Sequence, residues 1–495
     1  MRSGSSTTQQ PHMLHFFNSL TRRREEFVPL EPGRVGMYVC GPTIYAPPHI
    51  GNLRTFFFAD ILHRYLEFRG YEVRFVMNLT DVDDKTIAGA VRAGVSLREH
   101  TEPFARILFE NFDALGIARA DVYPRATEYV PQMIELIAKL IDRGLAYESE
   151  GSVYYDISEF PEYGKLSRVD LEHTRRGERV AADEYDRGDV RDFALWKAAK
   201  PEDEKVGAVW DTPWGPGRPG WHIECSAMSM HELGETFDIH GGGVDLLFPH
   251  HEDEIAQSEG ATGKPFARYW LHSEFLQVDG EKMAKSAGNI YTLEELVEQG
   301  ARPSSIRYVF LTAHYRTKLN FTWEALEAGA ESVRRLWSTY ERLRREHPRS
   351  PHPRAHDEPR LHEAASRALT DFTQAMDDDL NTSVALSAVW GLVREINSRL
   401  DELGTQPITD AEAQTALDAL ERMDSVLNII GLASREQESR VSAELEAWIE
   451  ERLAARQEAR KARDFALADR IRDEIAARGV VLEDTPTGTR WKVIN

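Results

Sequence analysis

The pattern that most constrains this chain is a strand, a helix and a second strand close to the N-terminus. Residues 35–40 (VGMYVC) form an apolar run of strand length, and residues 72–78 (EVRFVMN), rich in Val and Phe, predict a second strand. The segment 53–69 between them carries an apolar stripe at helical spacing. The stripe consists of Phe57, Ile61, Leu62 and Tyr65. A helix that connects two such strands predicts parallel pairing with a right-handed crossover. Open α/β sheets bind ligands at the carboxyl ends of their strands, so we expect a site just after residue 40.

The loop CGPTIYAPPHIGN (Cys40 to Asn52) occupies that position, between the first strand and the helix. His49 and Gly51 stand where the helix begins, and free N–H groups together with the helix dipole favour an anion there. A histidine can donate to phosphate oxygens, and a glycine lets the backbone come close to a ligand. The four letters HIGN are also typical of an ordinary turn, so both interpretations stay open for this motif alone.

Length and composition limit the classes of protein. A chain of 495 residues predicts two to four domains. No apolar run reaches the roughly 18 to 20 residues of a membrane span, so we expect no transmembrane segment. A formal charge of −22 argues against a basic nucleic-acid coat, although local Lys and Arg clusters can still bind RNA. Two cysteines argue against a disulfide framework and favour the reducing cytoplasm.

The second cysteine, Cys225, ends the motif GWHIEC, which is followed by DIHGGGVDLLFPHHEDE (238–254). His250 and Glu254 are four residues apart, so a helix presents them on one face. With Cys40 and Cys225 they make a set of two sulfurs, one nitrogen and one oxygen, which suits zinc. Two alternatives stay open: the cysteines are small buried hydrophobic residues, or HHEDE is the solvated polar start of a helix.

A third motif, DGEKMAKSAGN (279–289), contains Lys282 and Lys285 between glycines. Lysine is a compact point charge, so two lysines three residues apart in such a loop suit contact with phosphates. The alternative is a solvated surface loop.

Patterns elsewhere outline the remaining organisation. The N-terminal MRSGSSTTQQPH lacks the apolar core of a secretory signal and predicts a disordered extension. We expect a helical stretch over 102–145, mixed structure over 150–220, a strand over 237–243 and helices from about 322. Four prolines in 347–360 predict an exposed connection. Two helices over 442–478, capped by Gly479, and a strand-like end predict a last small unit.

The order of the motifs is more informative than any one of them. HIGN (49–52) and KMAKS (282–286) resemble the HIGH and KMSKS signatures of class I aminoacyl-tRNA synthetases. Further segments resemble those of the cysteinyl-tRNA synthetase family; they are LTDVDDK, GWHIECSAM, FDIHGGGVDLLFPHHEDEIAQS, DDDLNT (377–382) and LEDTPTGTRW (482–491). The likeness extends from Met13 to the end of the chain. Asn52 replaces the last histidine of one signature and Ala284 the first serine of the other, while both lysines are kept.

The resemblance implies an α/β fold: a Rossmann-type parallel-sheet catalytic domain with an insertion, then a helical bundle and a small C-terminal anticodon-binding domain. The implied boundaries are 1–12 for a disordered extension, 13–320 for the catalytic domain, about 125–215 for its insertion and 279–289 for the KMAKS loop. The helical tRNA-binding domain takes 321–435 and the anticodon-binding domain 436–495.

The resemblance also implies roles for single residues. The zinc ligands fall on Cys40, Cys225, His250 and Glu254. The catalytic residues fall on His49, Asn52, Lys282 and Lys285. The ATP contacts fall on His49, Gly51, Asn52, Gly241, Asp245, Lys282 and Lys285. The substrate pocket falls on Cys40, Gly41, Thr43, Trp221 and His240. The tRNA contacts fall on Arg456, Arg460, Lys461, Arg463 and Trp491. The alternatives are simple packing for Trp221, a backbone hydrogen bond for His240 and a solvated helix face for the basic residues.

The expected reaction is activation of L-cysteine with ATP to cysteinyl-adenylate, followed by transfer to the 3′ end of tRNA(Cys). One zinc ion per subunit is expected to bind the substrate as a thiolate and to exclude serine. An apolar pocket alone separates such isosteres by only about 10²-fold. The expected partners are ATP with Mg²⁺, L-cysteine and tRNA(Cys), with no membrane, and the chain is expected to be a cytoplasmic monomer.

Two other functions share part of the pattern. An ATP-dependent ligase of mycothiol synthesis joins cysteine to an amino sugar with the same adenylation site, but it lacks a long C-terminal part, and about 170 residues follow the KMAKS region here. A non-catalytic RNA-binding paralogue is expected to have lost its phosphate contacts, whereas His49, Lys282 and Lys285 are present.

Overall fold

The structure is a computed structural model that describes residues 13–168, 192–283, 288–351, 360–485 and 488–493. It divides into two compact units, Met1–Ile430 and Gly431–Asn495. None of the helices in these described segments combines the length and apolar character that a membrane crossing requires.

The first unit contains an α/β part followed by a helical part. It begins with β1 (His15–Asn18), β2 (Arg23–Glu26), β3 (Arg34–Val39), α1 (Ile50–Phe68) and β4 (Glu72–Met77). It continues with α2 (Asp84–Ala93), α3 (Leu97–Leu115), α4 (Val130–Asp142), β5 (Ala146–Ser149), β6 (Ser152–Tyr155), β7 (Phe193–Ala198), α5 (Pro201–Val206) and β8 (Gly217–Pro219). Next come α6 (Trp221–Leu233), β9 (Phe237–Gly243), α7 (Glu252–Thr262), β10 (Ala267–Ser273), β11 (Leu276–Val278), β12 (Glu281–Lys282), α8 (Leu293–Glu298), α9 (Pro303–Leu311) and β13 (Leu319–Phe321).

The helical part follows. It consists of α10 (Trp323–Glu341), β14 (Arg349–Ser350), α11 (Arg360–Asp377), α12 (Thr382–Leu403), β15 (Ile408–Thr409) and α13 (Asp410–Leu427). The predicted connection over 347–360 contains β14, which pairs with β15. The part of that connection from 352 to 359 lies outside the described residues.

The predicted strand–helix–strand unit forms the centre of a parallel sheet. Within the described residues its strand order is β10-β9-β3-β4, and each neighbouring pair is parallel. The strands predicted at 35–40, 72–78 and 237–243 are confirmed as β3, β4 and β9. β9 is buried along its whole length, because helices cover a parallel sheet on both faces.

Helix α1 packs between this sheet and the helical part. All four residues of its predicted apolar stripe are buried, and so are Phe56 and Phe58 on other faces. The helix also buries Asp60, whose carboxylate pairs with the buried Arg307 of α9 at 2.7 Å. The pair therefore joins the helix that His49 caps to α9, and Arg307 in turn donates to the backbone oxygen of Leu427 at the end of α13.

The region of the predicted insertion contains an antiparallel sheet of order β5-β6-β7-β8 among the residues that are described. Residues 169–191 lie outside that set. The single helical stretch predicted over 102–145 is wrong, because α3 ends at Leu115 and α4 starts at Val130. Gly116 ends α3 in the left-handed conformation, with φ 64°, which glycine adopts without steric cost.

The second unit contains α14 (Ile430–Lys461), α15 (Phe465–Ala476) and an antiparallel hairpin of β16 (Val480–Thr485) and β17 (Gly488–Val493). Its core is a small apolar cluster with Trp448 and Trp491 packed against it. The cluster consists of Ile449, Ile471, Ile475, Val480 and Leu482. The predicted helical pair with a strand-like end is therefore confirmed.

Candidate active site

A cavity of about 610 Å³ lies at the carboxyl ends of β3, β9 and β10. One wall is the predicted loop after β3, from Gly41 to His49 with Asn52 beyond it. Asp245 lines it after β9, and Ser273 to Leu276 line it after β10. Lys282 and Met283 close another side. The cavity thus lies where the sheet topology predicts a ligand, and its walls include both the HIGN motif and the first two residues of the KMAKS motif.

His49 and Asn52 cap helix α1 reciprocally. The Asn52 backbone N–H donates to Nδ1 of His49, and the His49 backbone N–H donates to Oδ1 of Asn52, each at 3.2 Å. Asparagine at the fourth position of the motif therefore has a structural role, because it satisfies an N–H group that a helix start leaves unpaired. Because Nδ1 accepts this hydrogen bond, a neutral His49 carries its own proton on Nε2.

Burial lowers the pKa of His49 below its ordinary value, although the nearby Asp245 carboxylate partly opposes this. The imidazole is therefore neutral at pH 7, with Nε2–H as a hydrogen-bond donor. The cap holds the ring at the helix N-terminus, where the backbone dipole also favours an anion. The arrangement suits contact with a phosphate oxygen in the cavity.

Gly51 lets the two motifs approach one another. A Cβ atom at this position would lie 2.3 Å from the Cε methyl of Met283, in the KMAKS motif. Lys282 lies in β12, which pairs with β11 through Gln277. Lys285 and Ala284 lie outside the described residues.

The four predicted zinc ligands come together behind the cavity wall. Their ligand atoms all lie within 4.8 Å of one another, and all four residues are buried. The Cys40 sulfur is 3.6 Å from the Cys225 sulfur and 3.5 Å from Oε1 of Glu254. Nε2 of His250 is 3.1 Å from the same carboxylate oxygen. Cys40 directly follows β3, Cys225 lies on α6, Glu254 lies on α7 and His250 lies just before it.

The protonation chemistry of this cluster favours positive charge at its centre. Burial opposes ionisation of Cys225, but the hydrogen bond from Cys40 and the nearby His250 lower its pKa to about 6. Burial also opposes a charged His250, yet Glu254 and Cys225 raise its pKa to about 9. Burial and Cys225 raise the pKa of Cys40. Two thiolates and a carboxylate can be ionised together here only with a cation between them, so the donor set fits zinc.

A second set of possible ligands overlaps the first. Cys40, His240, His251 and Glu254 also hold their ligand atoms within 4.8 Å of one another. Nε2 of His251 lies 3.3 Å from the Cys40 sulfur, and its Nδ1 lies 2.8 Å from Nε2 of His272. The sequence did not single out His251; the doubled histidine in HHEDE was the signal, but the four-residue spacing favoured its neighbour.

HHEDE is not the solvated helix start that was one alternative. All five residues are at most 1% exposed. The Glu252 carboxylate accepts hydrogen bonds from the backbone N–H groups of Gly164 and Ser167, at 2.9 and 2.6 Å. Buried carboxylates need such partners, so these two contacts bind the ligand helix to the segment 164–167.

The predicted pocket residues divide into two groups. Gly41, Thr43 and Trp221 line the cavity. Trp221 also stacks on the His250 ring, with centroids 4.2 Å apart. His240 is fully buried and its Nε2 lies 2.7 Å from Oε2 of Glu254, so it orients that carboxylate. It is absent from the cavity lining as far as the described residues show.

Two glycines of this region have little space for a side chain. A Cβ at Gly41 would lie 1.7 Å from the backbone oxygen of Asn78, which cannot move independently. A Cβ at Gly241, in β9, would lie 3.2 Å from a methyl of Val39. Gly41 therefore keeps the loop after β3 against β4, and the cavity keeps its shape.

The residues predicted to contact tRNA lie in the second unit. Lys461 pairs with Glu458 at 2.7 Å, and Arg463 follows α14 in the left-handed conformation, with φ 62°. Arg456 is buried, and Trp491 packs against the small apolar core. Arg460 lies in the last turn of α14.

The fold resembles solved structures of aminoacyl-tRNA synthetases. A methionyl-tRNA synthetase of Mycobacterium tuberculosis, solved with methionyl-adenylate, matches with a TM-score of 0.57 at 15% identity over 80% of this chain and 90% of that one. A putative arginyl-tRNA synthetase of Campylobacter jejuni matches with a TM-score of 0.54 at 12% identity, over 82% and 94%. A family model for the class I (C) tRNA synthetase catalytic domain matches residues 26–331. The fold and the catalytic-domain match are those of a class I aminoacyl-tRNA synthetase.

More specific matches identify the branch of that class. A DALR domain model matches residues 371–433, and a model of the cysteinyl-tRNA ligase anticodon-binding domain matches 442–491. Cysteine–tRNA ligases of Chlamydia pneumoniae and Symbiobacterium thermophilum are each 46% identical over 97% of this chain, covering 98% and 99% of their own lengths. The chain belongs to the cysteine–tRNA ligase family.

Proposed function

We propose that this chain activates L-cysteine with ATP, as cysteinyl-adenylate, and transfers it to the 3′ end of tRNA(Cys). One observation carries the proposal: the ligand cluster, the HIGN motif, and Lys282 and Met283 of the KMAKS motif adjoin a single cavity. Gly41 lines that cavity next to Cys40, and Trp221 lines it while stacking on His250. A substrate sulfur and a triphosphate could therefore be held in the same space.

His49, Asn52, Lys282 and Lys285 form the proposed adenylation machinery. His49 donates from Nε2 to a phosphate oxygen, while Asn52 holds the ring in that orientation through the cap. Lys282 lines the cavity, and its positive charge offsets that of the triphosphate, together with the Mg²⁺ that accompanies ATP. Lys285 is assigned by its place in the KMAKS motif. The cysteine carboxylate attacks the α-phosphate, and the protein acts by orienting the two reactants.

Asp245 and Gly241 are proposed to accommodate the nucleoside part of ATP. Asp245 lines the cavity after β9, where its carboxylate can accept hydrogen bonds from ribose hydroxyl groups. Gly241 keeps β9 close to β3, because a side chain there would press on Val39. Thr43 lies in the loop after β3 and lines the cavity, and it is proposed to contact the amino acid.

Selection of cysteine over serine is assigned to the metal cluster. Cys40, Cys225, His250 and Glu254 would hold a zinc ion, and His240 would keep the Glu254 carboxylate oriented. When bound, zinc supplies a soft Lewis acid that prefers a sulfur ligand to a hydroxyl. We favour this set over the one with His251 because it includes both cysteines, the softer ligands.

The second unit is proposed to bind the anticodon region of the tRNA. The family match over 442–491 supports this role. Arg460, Lys461 and Arg463 are proposed to contact phosphates. Trp491 and Arg456 are proposed to contact the tRNA on the basis of the family resemblance alone. The domain boundaries inferred from the sequence are likewise proposals. So is action as a monomer in the cytoplasm, a reducing compartment that suits the two free cysteines.

Charging of tRNA(Cys) with labelled cysteine tests the proposal. We expect ATP-dependent formation of an acid-precipitable, base-labile cysteinyl-tRNA. Cysteine-dependent ATP–pyrophosphate exchange without charging would instead favour the amino-sugar ligase, and the appropriate amino sugar should then accept the label. Binding of tRNA with neither exchange nor charging would favour a non-catalytic RNA-binding protein.

A further inference from the structure

Arg54 is a buried arginine on α1 that faces four backbone carbonyl groups. It is 4% exposed, although a guanidinium is rarely buried without a carboxylate partner. Nη1 donates to the backbone oxygens of Glu274 and Phe275, at 2.8 and 2.6 Å. Nη2 donates to those of His314 and Thr317, at 3.5 and 2.6 Å. One side chain thus joins three separate segments of the first unit.

The first pair of carbonyls belongs to the base of the hairpin that carries Lys282. Phe275 directly precedes β11, and Gln277 of β11 pairs with Lys282 of β12. A backbone shift at Phe275 would therefore also move β11, and with it Lys282, which is paired with Gln277. Arg54 itself lies two residues after Asn52 on the helix that His49 caps. It therefore lies between the elements that hold the two proposed phosphate-binding residues.

The second pair of carbonyls belongs to a turn that is fixed from its other side. Asp379 accepts hydrogen bonds from the Tyr315 hydroxyl at 2.6 Å and from Nε of Arg316 at 2.7 Å. Its backbone oxygen also lies 2.8 Å from Nε2 of His314. The turn then leads into β13, which pairs in parallel with β11. Arg54 therefore binds the hairpin base against a support that Asp379, from the DDDLNT motif, holds in place.

Burial lowers the pKa of Arg54 to about 10, so the guanidinium stays charged at neutral pH. Hydrogen bonds from a charged donor are stronger than those between neutral groups, and the planar fork of arginine reaches several acceptors at fixed angles. A lysine has one ammonium centre and cannot span the same four oxygens. The arrangement therefore requires arginine by geometry and not only by charge.

We infer that Arg54 is a positioning residue that fixes the hairpin bearing Lys282 against the helix capped by His49. The inference rests on the proposed function for the role of those two residues, but the contacts themselves do not depend on it. Misplacement of a reacting group by about 1 Å can cost on the order of 10²-fold in rate. Loss of these contacts should therefore slow adenylation without weakening the cysteine site, which lies behind another wall of the cavity.

The test compares Arg54→Lys and Arg54→Met with the parent chain in ATP–pyrophosphate exchange. We expect kcat to fall on the order of 10- to 100-fold in the methionine variant, with KM for cysteine changed less than about twofold. The lysine variant should be intermediate. Amide hydrogen exchange over 274–283, measured without ATP, should become faster in both variants.

Arg307→Lys is the matched control. Arg307 is also buried and also donates to three backbone oxygens, those of Leu427, Leu115 and Gly116. It differs in that it also pairs with Asp60 of α1, and among the described residues it has no hydrogen bond to the hairpin or to the HIGN motif. We expect a lower unfolding temperature with unchanged exchange kinetics at a temperature where the variant stays folded. Where the methionine variant does not accumulate, the lysine variant carries the test.

Two results would overturn the inference: kinetics like those of the parent in the Arg54 variants, or the same kinetic loss in the Arg307 control. Unchanged amide exchange over 274–283 would also overturn it. Failure of the proposed function is distinguishable, because the parent chain would then show no cysteine-dependent exchange at all. The hydrogen-exchange measurement still decides the positional role in that case.

Discussion

The sulfur atoms of Cys40 and Cys225 lie 3.6 Å apart although 185 residues separate them along the chain. Both are free thiols, and both are buried. We expect about one equivalent of zinc per chain in freshly purified protein, and we expect Cys225→Ala to lose it. Metal analysis after desalting measures this directly. Parent protein without zinc would contradict the assignment.

His251→Ala distinguishes the two overlapping ligand sets. Cys225 belongs only to the first and His251 only to the second. If the first set binds the ion, the histidine variant keeps its zinc while the cysteine variant does not. Loss of zinc in the histidine variant, with retention after Cys225→Ala, would assign the ion to the second set.

The metal cluster also predicts how well the protein distinguishes cysteine from serine. When serine enters, the zinc loses the sulfur ligand that the site is built to bind. Sites built around one specific polar contact reject an analogue that cannot make it by on the order of 10⁴-fold, and we expect a metal–sulfur contact to act in the same way. We expect kcat/KM for serine in ATP–pyrophosphate exchange to be lower than for cysteine by about that factor. Comparable values for the two amino acids would rule out selection by the metal cluster.

His49 has two functions that substitution can separate. An asparagine at position 49 can accept a hydrogen bond from the backbone N–H of residue 52, as histidine does, but it has no donor at the position of Nε2–H. We expect His49→Asn to keep the stability of the parent and to retain only a small but measurable part of its adenylation activity. His49→Ala should lose both, with about 0.5–2 kcal/mol of unfolding free energy removed with the cap. Urea unfolding and pyrophosphate exchange measure the two effects, and equal stability of both variants would argue against the cap.

The lowered pKa of His49 predicts where protonation affects activity. Burial keeps the ring neutral as the pH falls through its ordinary value of about 6.5. If protonation of His49 lowers kcat/KM for ATP, the fall in the pH profile should therefore occur below pH 6.5. A fall above pH 6.5 that is present in the parent and absent in His49→Asn would contradict this.

The sequence predicted the parallel sheet correctly because β3 and the second half of β4 are buried and apolar, with a helical stripe of matching length between them. It did not predict the break between α3 and α4. Helical spacing continues on both sides of Gly116, and only that glycine, followed by a proline at 124, signals the interruption. The antiparallel sheet of the insertion region was predicted only as mixed structure, because its strands are short and carry polar residues between apolar ones.

Site geometry could be predicted only where it is local. The spacing of His250 and Glu254 placed both on one helical face, but nothing in the spacing brings Cys40 to Cys225. Their approach depends on how α6 packs on β3, which is a tertiary contact. The neutral state of His49 follows from burial, which no short segment encodes. His251 was missed because adjacent histidines do not reveal which of them points to a partner.

The buried pair of Asp60 and Arg307 predicts a pH-dependent stability. Burial opposes the charged carboxylate, but Arg307 and Arg64 outweigh it and lower the pKa of Asp60. The stabilisation is therefore complete above the unfolded-state pKa of about 3.9 and is lost as the pH falls from there through the lower folded-state pKa.

Asp60→Asn should lower the unfolding free energy at pH 7 by about 3–5 kcal/mol, because Arg307 keeps its buried charge without a carboxylate. Glu331→Gln, which breaks an exposed pair with Arg334 on α10, should cost at most about 1 kcal/mol. Thermal unfolding at pH 7 and below pH 4 measures both variants. The difference in stability between Asp60→Asn and the parent should become smaller at the lower pH. A difference that stays constant would show that the carboxylate charge does not cause it.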